Sequence, residues 1–297
     1  MSSSTASSFA AAAGTITLGG DVTVNRMGYG AMRITGPGIW GPPADKAAAL
    51  ATLRRAVELG MNLIDTADSY GPDVSEELIA EALAPYAHGE VITTKAGWTR
   101  HGPGIWQHNA SPAHIAKAIE GSLKRLRVER IDIYQLHVPD PAVSFDASME
   151  AIARLREQGK VHHAGLSNVT LEHIKRAQKI VPIVSVQNRY SFSDREWEFV
   201  VDYCEEQGIA FLPWGPMAQG RQANAVVERI ARERGTTTAV VSLAWLLRRS
   251  PVIVPIPGTG SVAHLEENVS AAAFKLSDEE FAALNEVVPS PFWLRGE

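Results

Sequence analysis

Asn62-Leu63-Ile64-Asp65 is a short apolar run that stops on an acid, and the pattern repeats along the chain. Val91-Ile92-Thr93-Thr94 stops on Lys95, and Ile131 to Leu136 stops on His137. Val161 to Leu166 ends in Ser167 and Asn168, and Ile183 to Val186 ends in Gln187 and Asn188. Ala210-Phe211-Leu212 leads to Trp214, and Val252-Ile253-Val254 leads to Pro255 and Gly258. With Arg26 to Met32 as the first, these make eight runs of strand length. Segments of helical period separate them: Ala44–Leu59, Pro112–Leu126, Ser144–Gln158, Thr170–Ile180 and Glu196–Gln207. Ser111-Pro112 fits a helix start, and Gly60, Gly159 and Gly208 stand where helices should stop. Strands alternating with helices pair in parallel through right-handed crossovers. Eight such units in about 250 residues predict an α/β fold, a closed (β/α)8 TIM barrel.

Before the first run, Thr15 to Val24 alternates around Gly19-Gly20, the signature of a hairpin placed to close the barrel's bottom. Residues 1–13 are Ser/Ala-rich without a charged side chain and read as a disordered lead-in, leaving 14–297 as one barrel domain. The whole chain has 297 residues, 45% hydrophobic and 21% charged, with a formal net charge of −5. That balance gives no basic face for nucleic acid and no polybasic membrane anchor. No apolar run reaches the ~18 residues of a membrane span. The lone Cys204 leaves no disulfide framework or cysteine-based zinc site, and it reads as packing within a helix. A cytoplasmic location is the expectation, and composition does not decide the oligomeric state.

In a barrel of this kind the residues at strand C-termini converge on the top face, where active sites sit. Asp65, Lys95, His137, Asn168, Gln187 and Trp214 all stand there. Singly, each has an ordinary structural reading: a turn acid, a surface lysine, a satisfied core histidine, a helix cap. Together with Tyr70, five residues after Asp65, four of them form a set with its own chemical logic. A carbonyl accepting hydride needs a proton. Tyrosine, with an ordinary pKa near ~10, is a poor donor near neutrality. A lysine ammonium beside the phenol would lower that pKa if an aspartate kept it charged. A histidine would donate to the carbonyl oxygen and align it. His137 has no second ligand at metal spacing. His162 and His163 are neighbours on a strand, so alternation sends them to opposite sides, and no metal site is expected there.

Asp65 to Tyr70, Thr93-Thr94-Lys95 and Tyr134 to His137, in this order at successive strand ends, resemble the aldo-keto reductase superfamily. The resemblance runs from the Gly14–Val24 hairpin to about Val287, and it implies Asp65, Tyr70, Lys95 and His137 as the catalytic set. It also implies a nicotinamide dinucleotide: Ser167, Asn168 and Gln187 on the carboxamide, Trp214 stacked on the ring. Gly258, Thr259 and Ser261 would lie at the adenosine phosphate, and Glu267 and Asn268 at the adenine. Gly258-Thr259-Gly260-Ser261-Val262-Ala263 also fits a Rossmann fingerprint, but no further strand follows, so a phosphate-binding helix start is the reading retained. NADPH is the implied cofactor, with NADH left open, because Gly258 and His264 stand where relatives often carry lysine and arginine.

Three segments are candidate walls for a carbonyl substrate: 36–43 with Trp40, Trp98–Asn109 with Trp98 and Trp106, and the C-terminal 291–294. Met27 to Met32 with Gly36-Pro37-Gly38, Gly41-Pro42-Pro43 and Pro257 to Asn268 resembles bacterial reductases assigned to pyridoxal, an aromatic aldehyde suited to aromatic walls. Arg221, after the seventh strand, reads as a solvated arginine, with the cofactor pyrophosphate as the alternative partner. The expected function is NADPH-dependent reduction of pyridoxal or another aromatic or apolar carbonyl. Two other readings stay open: a non-catalytic NADPH-binding redox sensor, and a Schiff-base aldolase using Lys95 as a neutral amine.

Overall fold

A computed structural model describes residues 9–217 and 225–287, so Arg221 and the 291–294 wall lie outside the described residues. The chain opens with an antiparallel hairpin, β1 (Thr15–Leu18) and β2 (Val22–Asn25). A parallel sheet follows: β3 (Tyr29–Gly30), β4 (Leu63–Asp65), β5 (Val91–Ala96), β8 (Ile131–Leu136), β9 (Val161–Ser167), β10 (Ile183–Gln187) and β11 (Ala210–Phe211). These neighbour one another in that order. The eighth run closes the circle: the Val254 amide donates to the Phe211 carbonyl at 2.8 Å and the Gly28 amide to the Pro255 carbonyl at 2.9 Å. Arg26 seals the same seam by donating to the carbonyls of Leu247, Ser250 and Ile253.

Helices α1 (Lys46–Glu58), α2 (Val74–Leu83), α3 (Pro112–Leu126), α4 (Phe145–Glu157), α5 (Leu171–Ala177) and α6 (Glu198–Gln207) form the first part of the outer ring. The ring is completed by α7 (Ala225–Glu233), α8 (Thr238–Arg249), α9 (Val262–Ser270) and α10 (Asp278–Asn285). Their ends follow local chemistry. Ser111 accepts from the His114 amide and Pro112 occupies the first turn of α3. Gly60, Gly159 and Gly208 follow α1, α4 and α6 with positive φ.

Two apolar layers result. Leu63, Val91, Ile133, Val184, Leu212, Val254 and Ile256 fill the barrel interior, and Leu18 and Val24 of the hairpin join them from below. Fully burying such a side chain contributes about 1.5–3 kcal/mol, so the hairpin is a packed floor. The larger cluster, with Trp245, Met149 and Ile119, lies between strands and helices.

Two expectations change. Phe9–Ala13 is a short 3-10 turn whose Ala10 is buried and donates its amide to the Leu59 carbonyl at 3.0 Å, so the lead-in to residue 13 is too long. The segment after β5 is not an irregular loop. It is a second hairpin, β6 (Trp98–Gly102) and β7 (Ile105–His108), with Trp98 paired to His108.

Candidate active site

Strand alternation aims the polar residues inward. Val91 points into the barrel, so Thr93 and Lys95 do too, and Lys95 ends in the top layer above the apolar filling. Leu63 sets the same parity for Asp65, and Ile133 for Gln135. β10 breaks it. A register shift between Ile183 and Ser185 leaves Val184 inward and yet turns Ser185 and Gln187 inward as well. Without that bulge, Val184 inward would select Val186 and Asn188. Instead Asn188 clamps the neighbouring turn, accepting from the Val169 amide and donating to its carbonyl.

The charged centre is compact. Lys95, 0% exposed, donates to both carboxylate oxygens of Asp65 at 2.8 Å and to the Thr66 carbonyl at 2.7 Å. Gln187 donates to the same carboxylate at 2.9 Å. Gln135, which strand-end reading passed over, extends the network by donating to Ser185. Gly165 makes room for it, since a Cβ there would lie 2.3 Å from the Ser185 hydroxyl. Burial pushes Asp65 up and Lys95 down, each opposed by the other's charge.

Tyr70 stands beside this pair, the Lys95 ammonium 5.3 Å from its ring centroid. Burial raises the phenol well above its usual pKa, and the charges of Asp65 and Asp68 add to the rise. This direction is opposite to the expected lysine-lowered phenol, and the three ammonium hydrogens are directed at Asp65 and Thr66. His137 meets Tyr70 edge-on at 5.8 Å. Burial and then the Lys95 charge push it well below its usual pKa, so the ring is neutral. The Ser69 hydroxyl lies 3.4 Å from Nδ1, and a donation there leaves the proton on Nε2.

The three tryptophans named as substrate walls gather at this point. Trp106 meets Tyr70 at 6.5 Å, Trp98 meets His137 at 6.4 Å, and Trp40 reaches them through Arg100. Arg100, absent from the sequence reading, stacks at 3.7 Å on Trp106. Its guanidinium donates to the carbonyls of Gly38, Ile39, Ser69 and Ile105, tying three loops together.

Three of the other candidate residues, Gln187, Trp214 and Gly258, line a cavity beside Tyr70. Trp214 is 37% exposed and borders this cavity of ≈ 100 Å³, which Asp65, Tyr70, Gln187, Gly30, Arg33 and Gly258 also line. Its indole N–H donates to Asn168 Oδ1 at 3.0 Å, and Asn168 donates in turn to Ser167 Oγ and the His137 carbonyl. A flat aromatic face beside buried amide and hydroxyl groups fits an aromatic carboxamide. Further along, Gly258 and Gly30 pack backbone to backbone: a Cβ on Gly258 would fall 2.8 Å from the Gly30 carbonyl oxygen. Thr259 accepts from the Ser261 amide at 3.0 Å, and Ser261 caps α9, putting a helix start after this loop. Arg33 also flanks this loop, its Cγ 3.6 Å from a Cβ placed on Gly258. It lies in the 3-10 turn after β3, one residue beyond the Arg26–Met32 run, where the strand-end rule would have found it had that run been extended. Glu267 accepts from the Thr237 hydroxyl and Asn268 is buried, so both sit on α9 rather than in the cavity lining named above.

His162 and His163 do not diverge as alternation predicts. Their rings stack at 4.1 Å and both reach Asp21 in the floor hairpin, at the barrel's opposite end. Alternation fixes where Cβ points; two side-chain torsions then carry each ring to the same carboxylate. The larger cavity, ≈ 360 Å³ with Arg130, Arg156 and His162 on its walls, also lies at that end, away from Tyr70.

Residues 26–289 match the family model described as aldo/keto reductase family. The chain is 48% identical to an uncharacterised oxidoreductase of Schizosaccharomyces pombe, over 93% of this chain and 90% of that protein. It is 42% identical to pyridoxine 4-dehydrogenase of Escherichia coli, over 91% of this chain and 97% of that one. Among solved structures, an aldo/keto reductase from Klebsiella pneumoniae in complex with NADP and acetate superposes with a TM-score of 0.78. The two are 26% identical, over 94% of this chain and 96% of that chain.

Proposed function

The chain belongs to the aldo/keto reductase family, and from that premise we propose that it is an NADPH-dependent oxidoreductase that reduces an aromatic aldehyde, pyridoxal foremost, with Tyr70 as the proton donor. The observation that carries this reading is the convergence of Asp65, Lys95, Tyr70 and His137 under three tryptophans beside one cavity. The cofactor, when bound, supplies the hydride. Trp214 would hold its ring, with Ser167, Asn168 and Gln187 at the carboxamide. Gly258, Thr259, Ser261 and Arg33 would meet the phosphates, Arg33 offering the cation that Gly258 and His264 do not. Glu267 and Asn268 remain the candidates for the adenine side. His137, neutral, orients the carbonyl oxygen toward Tyr70 through its ring N–H, and the Tyr70 O–H supplies the proton as negative charge develops.

Pyridoxal is favoured because reduction of its aldehyde gives pyridoxine, the compound named in the E. coli relative at 42% identity. Trp40, Trp98 and Trp106 offer edges and faces for a pyridine ring. The aldolase reading loses ground, because Lys95 uses all three ammonium hydrogens on Asp65 and Thr66 and has no lone pair to attack with.

The test is NADPH oxidation over a panel of aldehydes and ketones including pyridoxal, with Tyr70→Phe alongside. Removal of the proton donor should lower kcat by about 10²–10⁴-fold and leave NADPH binding, read by tryptophan quenching, unchanged. A variant with full activity refutes the role of Tyr70. Tight NADPH binding without turnover of any carbonyl would support the sensor instead.

A further inference from the structure

The floor of the barrel carries a group of side chains that the proposed reaction does not use. Asp21 lies in the turn of the first hairpin, beneath the start of β9. His163 Nε2 is 2.6 Å from Asp21 Oδ1, and His162 Nε2 is 2.9 Å from Asp21 Oδ2. The three ligand atoms lie within 4.8 Å of one another. The His163 side chain is 7% exposed, that of His162 25% and that of Asp21 53%, so the group is anchored on one side and open on the other. Gly19 holds the arrangement close: its φ is +63°, and a Cβ there would strike the His163 ring at 2.2 Å.

From this geometry we infer a binding site for one borderline divalent cation, zinc being the reference, held by Nε2 of His162, Nε2 of His163 and a carboxylate oxygen of Asp21. Two imidazoles and one carboxylate suit zinc, copper or nickel and disfavour magnesium and calcium, which take oxygen donors. Zinc with three protein ligands keeps a fourth position for water, and the exposed side of Asp21 is where it would sit. Bond lengths near 2.0–2.1 Å put tetrahedral ligand atoms about 3.3 Å apart. His163 Nε2 lies 2.6 Å from Oδ1 and His162 Nε2 2.9 Å from Oδ2, so binding opens these contacts by roughly half an ångström and turns one carboxylate oxygen to the metal. Both rings already present Nε2 to the same carboxylate; binding turns them out of their 24° stack so that both lone pairs meet at the metal, with the ring protons on Nδ1.

Bound there, the metal joins the hairpin turn to a strand 141 residues later in the chain and so fixes the floor to the barrel wall. Isothermal titration of zinc into the untagged, EDTA-stripped full chain tests this. We expect one equivalent bound with Kd on the order of micromolar, and a rise in Tm of about 5 °C at a roughly hundredfold excess over Kd. Asp21→Asn and His162→Gln, both on the exposed side, should each weaken binding at least about tenfold. His88→Gln, an exposed histidine elsewhere, should change nothing, and magnesium should give no heat. Cobalt(II) added to the unsubstituted protein should develop visible d–d absorption that saturates at one equivalent, a readout independent of how the variants fold. Absence of both the zinc heat and the cobalt band overturns the site. So does zinc affinity that survives both substitutions.

Discussion

Lys95→Met tests the charged centre most directly. The substitution replaces a fully buried ammonium with an unbranched apolar chain of similar length, so packing changes little. What changes is Asp65. At 3% exposure it loses both lysine contacts and keeps the single donation from Gln187 at 2.9 Å. Breaking a buried pair by removing one partner costs about 3–5 kcal/mol, because the remaining charge is stranded away from water. The variant has an escape, since Asp65 can take up a proton. Its folded pKa, already raised by burial, climbs further without Lys95, above the ~3.9 of the unfolded chain. Between those two values the folded state binds the extra proton, so stability falls as pH rises through that window. The deficit relative to the parent protein is therefore smallest at the acid end and complete above the folded pKa. Each unit by which Asp65 rises changes the deficit by about 1.4 kcal/mol. Urea unfolding followed by tryptophan fluorescence, at several pH values from about 5 to 8, measures it. Asp65→Asn combined with Lys95→Met removes the stranded charge and should recover more than half of the loss at about pH 8. A single-variant loss below about 1 kcal/mol at that pH, or a double variant no more stable than the single one, would refute the picture of an ionised, mutually dependent pair.

Other outcomes follow from the same geometry. His137 is held neutral well below its ordinary pKa, so the unfolded state binds more protons on acidification, and stability drops as pH falls below about 6.5, by up to about 1.4 kcal/mol per pH unit. In His137→Gln that part of the slope should vanish, which parallel urea titrations at pH 5 and 7.5 would show. Arg33→Ala should raise the Kd for NADPH about tenfold, the size of one lost charge-assisted contact, and that for NADH much less. Equal effects on the two nucleotides, read by fluorescence quenching, would remove Arg33 from the 2′-phosphate.

The barrel and its reactive face were legible because one rule, apolar branched runs ending in polar residues, held at strand after strand. Asp65, Lys95 and His137 obey it, and the structure brings them together with Tyr70. The sequence could not show the β10 bulge, a one-residue event that selects Gln187 over Asn188 for the site. Arg100 was hidden for a different reason. Its five donors serve carbonyls from segments 38–39, 69 and 102–105, and backbone acceptors carry no residue code. His162 and His163 misled because period-two alternation was carried from Cβ to the end of a flexible side chain. Phe9 to Ala13 looked featureless, yet Ala10 is buried and its amide bonds the Leu59 carbonyl, a contact that no side chain codes for.

The raised Tyr70 also revises why a lysine belongs beside it. A donor tuned toward neutrality would be partly ionised before the carbonyl arrived, and an ionised phenol has no proton to give. In this site burial, with the charges of Asp65 and Asp68, favours the phenol form of Tyr70. Under the proposed reaction the proton goes to an oxygen acquiring alkoxide character, a base closer in strength to hydroxide, whose conjugate water has a pKa near 15.7, than to a free phenolate. Raising the phenol narrows the gap between donor and acceptor, so proton transfer approaches balance and runs in either direction. Lys95 then acts late: as Tyr70 gains charge, the ammonium stands 5.3 Å from its ring, and Asp65, with Gln187 bonded to it, keeps that cation in place. On this account Lys95→Met should slow oxidation of the alcohol, which needs the phenolate at the start, more than reduction of the aldehyde. Comparing kcat in the two directions in that variant tests the order of events, and an equal loss in both would return Lys95 to the simpler role of lowering a resting pKa.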